Sequence, residues 1–163
     1  MEHLLLLHGA IGAKDQLQPL GELLADKYSI HTIDFVGHGG SAIPGEPFSI
    51  PLFATQVLNY LQENNIAKVN VFGYSMGGYV GMYLAKNNPE KISKCITLAT
   101  KFYWDEIVST KEVKKLDPAI IHQKIPAVAE QLKQRHAPRD WEMILKKTAE
   151  FLEGLGKNNA LQL

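Results

Sequence analysis

The stretch VFGYSMGGYV, from Val71 to Val80, decides the fold of this chain. An apolar run typical of a strand precedes Ser75, and a run with helical spacing follows it. A sharp reversal from strand to helix would put the Ser75 backbone in a sparsely populated conformation, and side chains two positions before and after it would collide. Gly73 and Gly77 occupy those two positions. The stretch therefore predicts a tight turn that lifts the Ser75 hydroxyl above the end of a sheet.

Short apolar runs alternate with helical segments on both sides of this turn. We predict four strands, at Leu4–Leu7, Ser29–Asp34, Val69–Phe72 and Cys95–Ala99. Helices are predicted over residues 15–28 and 76–86, and a third begins after Ser49, its N-cap, with Pro51 just inside it. Strands that alternate with helices form a parallel sheet with right-handed crossovers. The predicted fold class is therefore α/β, a parallel sheet with flanking helices.

The character of the sequence changes near residue 100. The remainder has no strand-like run, and it is predicted to form helices that break near Pro118, Pro126 and Pro138. We therefore divide the chain into an α/β core, residues 1–100, and a helical segment, residues 101–163.

Composition and charge bound the classes of partner. The chain has 163 residues, enough for one domain, and its 17 Lys and Arg balance 17 Asp and Glu. Nucleic acids and acidic membrane surfaces need clustered Lys and Arg, so we expect neither as a partner. The apolar run Leu4–Leu7 is too short for a signal peptide or a membrane helix. Cys95 is the only cysteine, which excludes a disulfide within these residues and fits a cytoplasmic protein.

Two further segments come before FGYSMGG (residues 72–78) in the chain. They are LLLLHG, residues 4–9, and DFVGHGGS, residues 34–41. In these three segments, their order and their spacing, the chain resembles the α/β-hydrolase family, in particular its serine esterases and acyl-transfer enzymes with a helical cap. The resemblance covers residues 2–100 well, whereas residues 101–163 match only as an unspecific helical cap.

This resemblance implies an activity and a set of site residues. Ser75 would be the catalytic nucleophile on a nucleophile elbow, attacking a small or medium acyl ester without a metal or another cofactor. The backbone N–H groups of Ala10 and Met76 would form an oxyanion hole, in which each donor is typically worth about 3–4 kcal/mol. His8 would brace its loop rather than act as a base, and Asp34 would have a structural role.

The base and the carboxylate that would activate Ser75 have no clear candidates. His122 and His136 follow Ser75 in the chain, but neither follows a strand-like run. His136 and Asp140 are four residues apart, the spacing of a surface pair on a helix. We therefore expect an N-terminal part of a hydrolase that is nearly inactive alone. The alternatives are a short variant completed by a second polypeptide, and a complete protein that either draws its base from the helical segment or has no catalytic activity.

Other functions and contacts stay open at this stage. An acyltransferase would use the same serine with an alcohol or thiol acceptor, and a non-catalytic binding module would use the same fold. The strand Cys95–Ala99 would lie at the sheet edge, where it invites self-association or pairing with a missing C-terminal segment. Residues 37–42 match a dinucleotide-binding pattern, but prolines follow where that motif needs a helix. The aromatic residues 102–104 are predicted to pack in the core rather than line an acyl pocket.

Overall fold

The computed structural model describes residues 1–161. The strands are β1 (Glu2–Leu7), β2 (Tyr28–Thr32), β3 (Val69–Tyr74) and β4 (Ile92–Leu98). The helices are α1 (Gln18–Leu24), α2 (Ile50–Glu63), α3 (Met76–Asn87), α4 (Glu106–Val113), α5 (Pro118–Lys124), α6 (Pro126–His136) and α7 (Trp141–Lys157). Short 3-10 helices at Lys14–Leu17 and Lys114–Leu116 precede α1 and follow α4. Within residues 1–161, none of the helices is long and apolar enough to cross a bilayer.

The four strands form one parallel sheet in the order β2-β1-β3-β4. In the central strand β1, Leu5 pairs with His31 of β2 and with Val71 of β3. The leucines of β1 are buried because helices cover both faces of the sheet there, which explains their uninterrupted apolar run. The predicted strands and the parallel α/β sheet are confirmed, with strand bounds that differ by a few residues.

Of the two helices before β3, α2 begins as predicted from the sequence and α1 does not. In α2, the Ser49 hydroxyl accepts a hydrogen bond from the Leu52 N–H at 3.2 Å, as predicted for its N-cap. The helix predicted over residues 15–28 is instead a 3-10 turn followed by the short α1. In α1, Gly21 is buried and Leu23 is exposed. The helix packs so closely on the sheet that a Cβ at Gly21 would lie only 3.2 Å from Leu6. Close packing of α1 on the sheet therefore determines which residue of this helix is buried.

The helical segment packs against the α/β core. Pro118 and Pro126 are the first residues of α5 and α6, where the missing N–H costs nothing. From α7, Ile144, Phe151 and Leu155 join the same hydrophobic cluster as the side chains of β1 and β3. The hydrophobic core therefore runs across the division predicted near residue 100.

Strand β4 forms the edge of the sheet, as predicted. Among residues 1–161, it is hydrogen-bonded to β3 alone. Ile96 and Leu98, which point to one face of the sheet, are 61% and 53% exposed. Cys95 and Thr97 point to the other face and are half-buried. The exposed apolar face is therefore confined to one side of this edge strand.

Candidate active site

Ser75 occupies the turn between the end of β3 and the start of α3. Its φ of 50° and ψ of −116° lie in a region that costs energy for any residue with a side chain. A Cβ at Gly73 would run into the backbone of Gly77 and Gly78, and a Cβ at Gly77 would run into the carbonyl group of Leu7. The turn therefore requires both flanking glycines, for the steric reason that the sequence predicts.

Hydrogen bonds from β4 and its following loop hold this turn. The Ser75 N–H donates to the Leu98 carbonyl at 2.8 Å, and the Thr100 hydroxyl donates to the Ser75 carbonyl at 2.9 Å. The Ser75 hydroxyl itself makes no hydrogen bond to any residue from 1 to 161. Thr100 escaped the sequence analysis because its contact depends on the β3–β4 register, which pairs Tyr74 with Leu98. The turn thus fixes the Ser75 backbone and leaves its hydroxyl unpaired.

Ala10 and Met76 lie beside Ser75, and all three line one cavity. Ala10 follows β1, and Met76 is the first residue of α3. Within the described part of the chain, neither backbone N–H donates a hydrogen bond to a protein group. The neighbouring Gly9 differs, because its N–H donates to the Gln16 side chain at 2.9 Å. The residues that carry two unpaired amides and one unpaired hydroxyl therefore line the same cavity.

His8 ties the loop after β1 to the loop after β2. Its Nε2 accepts a hydrogen bond from the Phe35 N–H at 3.0 Å, so Nδ1 carries the proton and donates to the Gly9 carbonyl at 2.7 Å. Burial lowers the pKa of His8 to about 4, so the ring is neutral near pH 7. With both ring nitrogens engaged, His8 braces the loop as predicted.

Asp34 holds the neighbouring loop. One carboxylate oxygen accepts the Lys14 N–H at 2.7 Å, and the other lies 3.5 Å from the Lys14 ammonium. The backbone carbonyl of Asp34 accepts a hydrogen bond from the Gln56 side chain at 2.8 Å. Asp34 does not line the cavity that contains Ser75. The structural role predicted for Asp34 is confirmed.

His136 and Asp140 are not the helix surface pair that their spacing predicts. His136 ends α6 and is buried; its Nδ1 accepts the Gly39 N–H at 3.1 Å and its Nε2 donates to the Ile11 carbonyl at 3.1 Å. Asp140 is the N-cap of α7, where it accepts two backbone N–H groups. The prediction was wrong because no single helix spans the two residues, and proline 138 interrupts any such helix.

Three buried imidazoles, which we call the loop histidines, lie around the loop after β2. They are His8, His38 and His136, with ring centroids 5.2 Å apart between the first two and 5.8 Å apart between the last two. His38 donates from Nδ1 to the Val36 carbonyl at 3.1 Å, and burial lowers its pKa to about 3. Its Nε2 has no partner among residues 1–161. None of the loop histidines lines the cavity beside Ser75.

The cavity beside Ser75 has a volume of about 430 Å³ and a largely apolar wall. Its apolar lining comes from Ala10, Ile11, Ile50, Met76, Tyr79, Ala99, Trp104, Leu116, Phe151, Leu152 and Leu155. No histidine within residues 1–161 lines it. His122, the other histidine after Ser75, lies on the surface with its Nε2 3.0 Å from the Glu142 carboxylate. The described chain therefore brings no imidazole to the Ser75 hydroxyl.

Charged side chains border this cavity at one place. Lys101 and Lys115 each place an ammonium group 2.8 Å from one carboxylate oxygen of Glu112, and these hydrogen bonds lower the pKa of Glu112. Trp104 lies beside them, with Lys101 Nζ 5.6 Å from its ring centre, and it both lines the cavity and packs against the core. These residues carry no local motif, because α4 and the loop before it reach the cavity only in the folded chain. Phe102 packs against the core as predicted, whereas Tyr103 is exposed.

Comparison with known proteins agrees with this architecture. A family model described as alpha/beta hydrolase fold matches residues 2–154. A pimeloyl-[acyl-carrier protein] methyl ester esterase of Aeromonas hydrophila is 36% identical over 78 residues, which are 47% of this chain and 29% of that protein. The 3-oxoadipate enol-lactonase 2 of Acinetobacter baylyi is 36% identical over 75 residues, 46% of this chain and 28% of that protein.

A solved structure, a thermophilic esterase from Thermogutta terrifontis, has the same fold. It superposes with a TM-score of 0.73 at 17% sequence identity, covering 96% of this chain and 64% of that chain. The matched segment thus spans less than a third of the two relatives and about two thirds of the esterase. The family match extends to residue 154, beyond the motifs that carry the resemblance. The family match over residues 2–154, together with the parallel sheet and the turn at Ser75, shows that the chain is a member of the α/β-hydrolase family.

Proposed function

We propose that the chain is the nucleophile-bearing part of a serine hydrolase that cleaves a small or medium acyl ester. One observation carries the proposal: the Ser75 hydroxyl is unpaired on a strained turn and shares a cavity with the unpaired amides of Ala10 and Met76. The relatives named as a methyl ester esterase and an enol-lactonase act on bonds of this class, which supports the proposal.

The chemistry would proceed through an acyl-serine. The Ser75 oxygen attacks the ester carbonyl carbon while a base removes the hydroxyl proton. The carbonyl oxygen becomes an oxyanion and accepts hydrogen bonds from the N–H groups of Ala10 and Met76, each typically worth about 3–4 kcal/mol. The N-terminal position of Met76 in α3 adds the positive end of the helix dipole. The alcohol then leaves with a proton, and water releases the acid from Ser75.

The base and its carboxylate partner would come from outside residues 1–161. Within those residues no histidine lines the cavity, and its one lining carboxylate, Glu112, is paired with two lysines. The edge of β4 is where such a segment could bind. Leu98, at the end of β4, accepts a hydrogen bond from the Ser75 N–H, and its apolar side chain is exposed, as is that of Ile96. A further strand paired with β4 would end beside Ser75 and direct its following loop to the cavity.

A fluorophosphonate probe tests the proposed nucleophile. We expect slow labelling of the chain that added imidazole accelerates, because the free base replaces the missing one. Peptide mapping should place the label on Ser75, and Ser75→Ala should abolish it. Ser93→Ala, which removes an exposed serine of β4, is the matched control and should label normally. Absence of label on Ser75 with imidazole present would overturn the proposal and favour a non-catalytic binding module.

Turnover of p-nitrophenyl butyrate tests where the base lies. In a comparable triad, losing the base alone costs about as much as losing all three members, about a million-fold in kcat. Without a base, Ser75→Ala should therefore lower the rate of this chain by less than about tenfold. A decrease of a thousand-fold or more would show that a base within the chain activates Ser75, and would contradict this part of the proposal.

A further inference from the structure

The charged border of the Ser75 cavity carries a further inference. We call Lys101, Glu112 and Lys115 the lysine rim. Glu112 is shared, one carboxylate oxygen to each ammonium at 2.8 Å. The lysine side chains are 44% and 61% exposed, against 22% for Glu112. Each ammonium has three donors, so the rim keeps free N–H groups after its internal bonds are made.

The rim has an uncompensated positive charge. Two ammonium groups and one carboxylate sum to one net positive charge, and the two short hydrogen bonds from Lys101 and Lys115 keep Glu112 ionised by lowering its pKa. The other residues that line the cavity within positions 1–161 are uncharged. Among those residues, the positive charge therefore lies in the wall of a mostly apolar cavity that Ser75 also lines.

We infer that the site takes acyl esters whose acyl chain ends in a carboxylate, an inference that rests on the proposed function. The ester carbonyl would lie at Ser75, the methylene chain along the apolar wall, and the terminal carboxylate on Lys101 and Lys115. Hydrogen bonds between ammonium and carboxylate groups are stronger than neutral ones, so the rim favours this end group over a methyl group.

Charge and size narrow the class further. A single net positive charge matches a monoanionic carboxylate better than a dianionic phosphate. A cavity of about 430 Å³ lies near the lower end of the ~300–1,000 Å³ range of small-molecule sites, which suits a short or medium chain. Glu112 would orient both lysines toward a shared ligand. The substrate class is therefore the monoester of a short or medium dicarboxylic acid.

Two esters that differ only at the chain end test this inference. Monomethyl adipate ends in a carboxylate, and methyl hexanoate has a methyl group at the same position. Their affinities are measured by isothermal titration calorimetry and by Trp104 fluorescence, using Ser75→Ala to prevent turnover and Trp141→Phe to remove the other tryptophan. We expect monomethyl adipate to bind about tenfold or more tightly. Added salt should reduce the difference.

Lysine variants test whether the carboxylate of the ester binds at the lysine rim. Lys101→Met and Lys115→Met keep the aliphatic stem and should each bring the two affinities close together. Lys114→Met is the matched control, because Lys114 is adjacent in sequence but does not line this cavity. It should keep the preference. Thermal unfolding of each variant confirms that it is folded.

The outcomes separate this inference from the proposed function. Binding to Ser75→Ala needs no catalysis, so a preference for monomethyl adipate that both rim variants remove supports the inference whether or not the probe labels Ser75. Equal affinities of the two esters, no binding of either at millimolar concentration, or a preference that survives both rim variants would overturn it, even where labelling succeeds.

Discussion

Two neighbouring regions at the carboxyl end of the sheet use their reactive side chains in opposite ways. At the Ser75 turn, the hydroxyl and two nearby amides are unpaired and border a cavity that no histidine within residues 1–161 lines. At the loop histidines, three imidazoles are buried and lie outside that cavity. Five of their six ring nitrogens are hydrogen-bonded, and only Nε2 of His38 has no partner in the described chain. These imidazoles thus hold loops in place. The position of a histidine in the sequence, before or after Ser75, therefore does not identify it as the base.

The two regions are joined by the loop after β1. Its carbonyl groups at Gly9 and Ile11 accept hydrogen bonds from His8 and His136, and the residue between them, Ala10, lines the same cavity as Ser75. His8 and His136 therefore hold the backbone on either side of Ala10. These two histidines position backbone groups. Each must be neutral because one of its ring nitrogens accepts a backbone N–H.

The Ser75 turn should show the largest effect of a single methyl group. Gly77→Ala is expected to destabilise the chain by more than about 4 kcal/mol, because the added Cβ meets the backbone of Leu7 and His8, which cannot rotate away. Urea unfolding measures the change. Gly154→Ala is the matched control, since a Cβ there meets nothing within 4 Å and removes a helix glycine, so it should be neutral or stabilising by up to about 1 kcal/mol. Equal stabilities of the two variants would contradict the packing described for the turn.

Acid should destabilise the folded chain through the loop histidines. Burial lowers the pKa of His8 to about 4 and of His38 to about 3 in the folded chain, against 6.5 for the ordinary side chain. Between these values the unfolded chain binds more protons, so stability is complete above pH 6.5 and is lost as pH falls toward 4 and 3. At pH 5 the loss should be about 2 kcal/mol for each histidine, measured by urea unfolding across pH.

A pair of variants sharpens the acid prediction. His38→Phe keeps a ring against Phe48, which stacks on His38 with centroids 5.4 Å apart, and should remove the part of the loss that His38 contributes, about 2 kcal/mol at pH 5. His122→Gln, at an exposed position, keeps all three loop histidines and should lose stability in acid as the unchanged chain does. A stability that does not depend on pH between 4 and 6.5 would mean that the loop histidines are not held neutral by the fold.

The smallest effect distinguishes the two interpretations of Asp140. As the N-cap of α7, Asp140→Ala should cost about 1 kcal/mol by urea unfolding. As one half of a surface ion pair with His136 it would cost less, and high salt would abolish the cost. A loss that persists in high salt and in the His136→Ala background supports the N-cap. A loss that disappears in either condition would restore the ion pair.

The sequence predicts those features that a short stretch determines by itself. The Ser75 turn, the Ser49 cap and the strands follow from spacing within about ten residues, and the structure contains each of them. Other features arise from contacts between distant segments. Thr100 reaches Ser75 through strand register, and His136 is buried by the loops after β1 and β2. No local pattern contains that information, so these contacts became visible only in three dimensions.

The end of β4 has a consequence for how an enzyme of this kind would be switched on. Leu98 holds the main chain of Ser75 through its carbonyl group, while its side chain and that of Ile96 stay uncovered. Under the proposed function, the partner that covers the edge of β4 would also supply the missing base. Assembly of the two parts and activation of Ser75 would then occur in one step, and activity would appear only when the two parts bind each other.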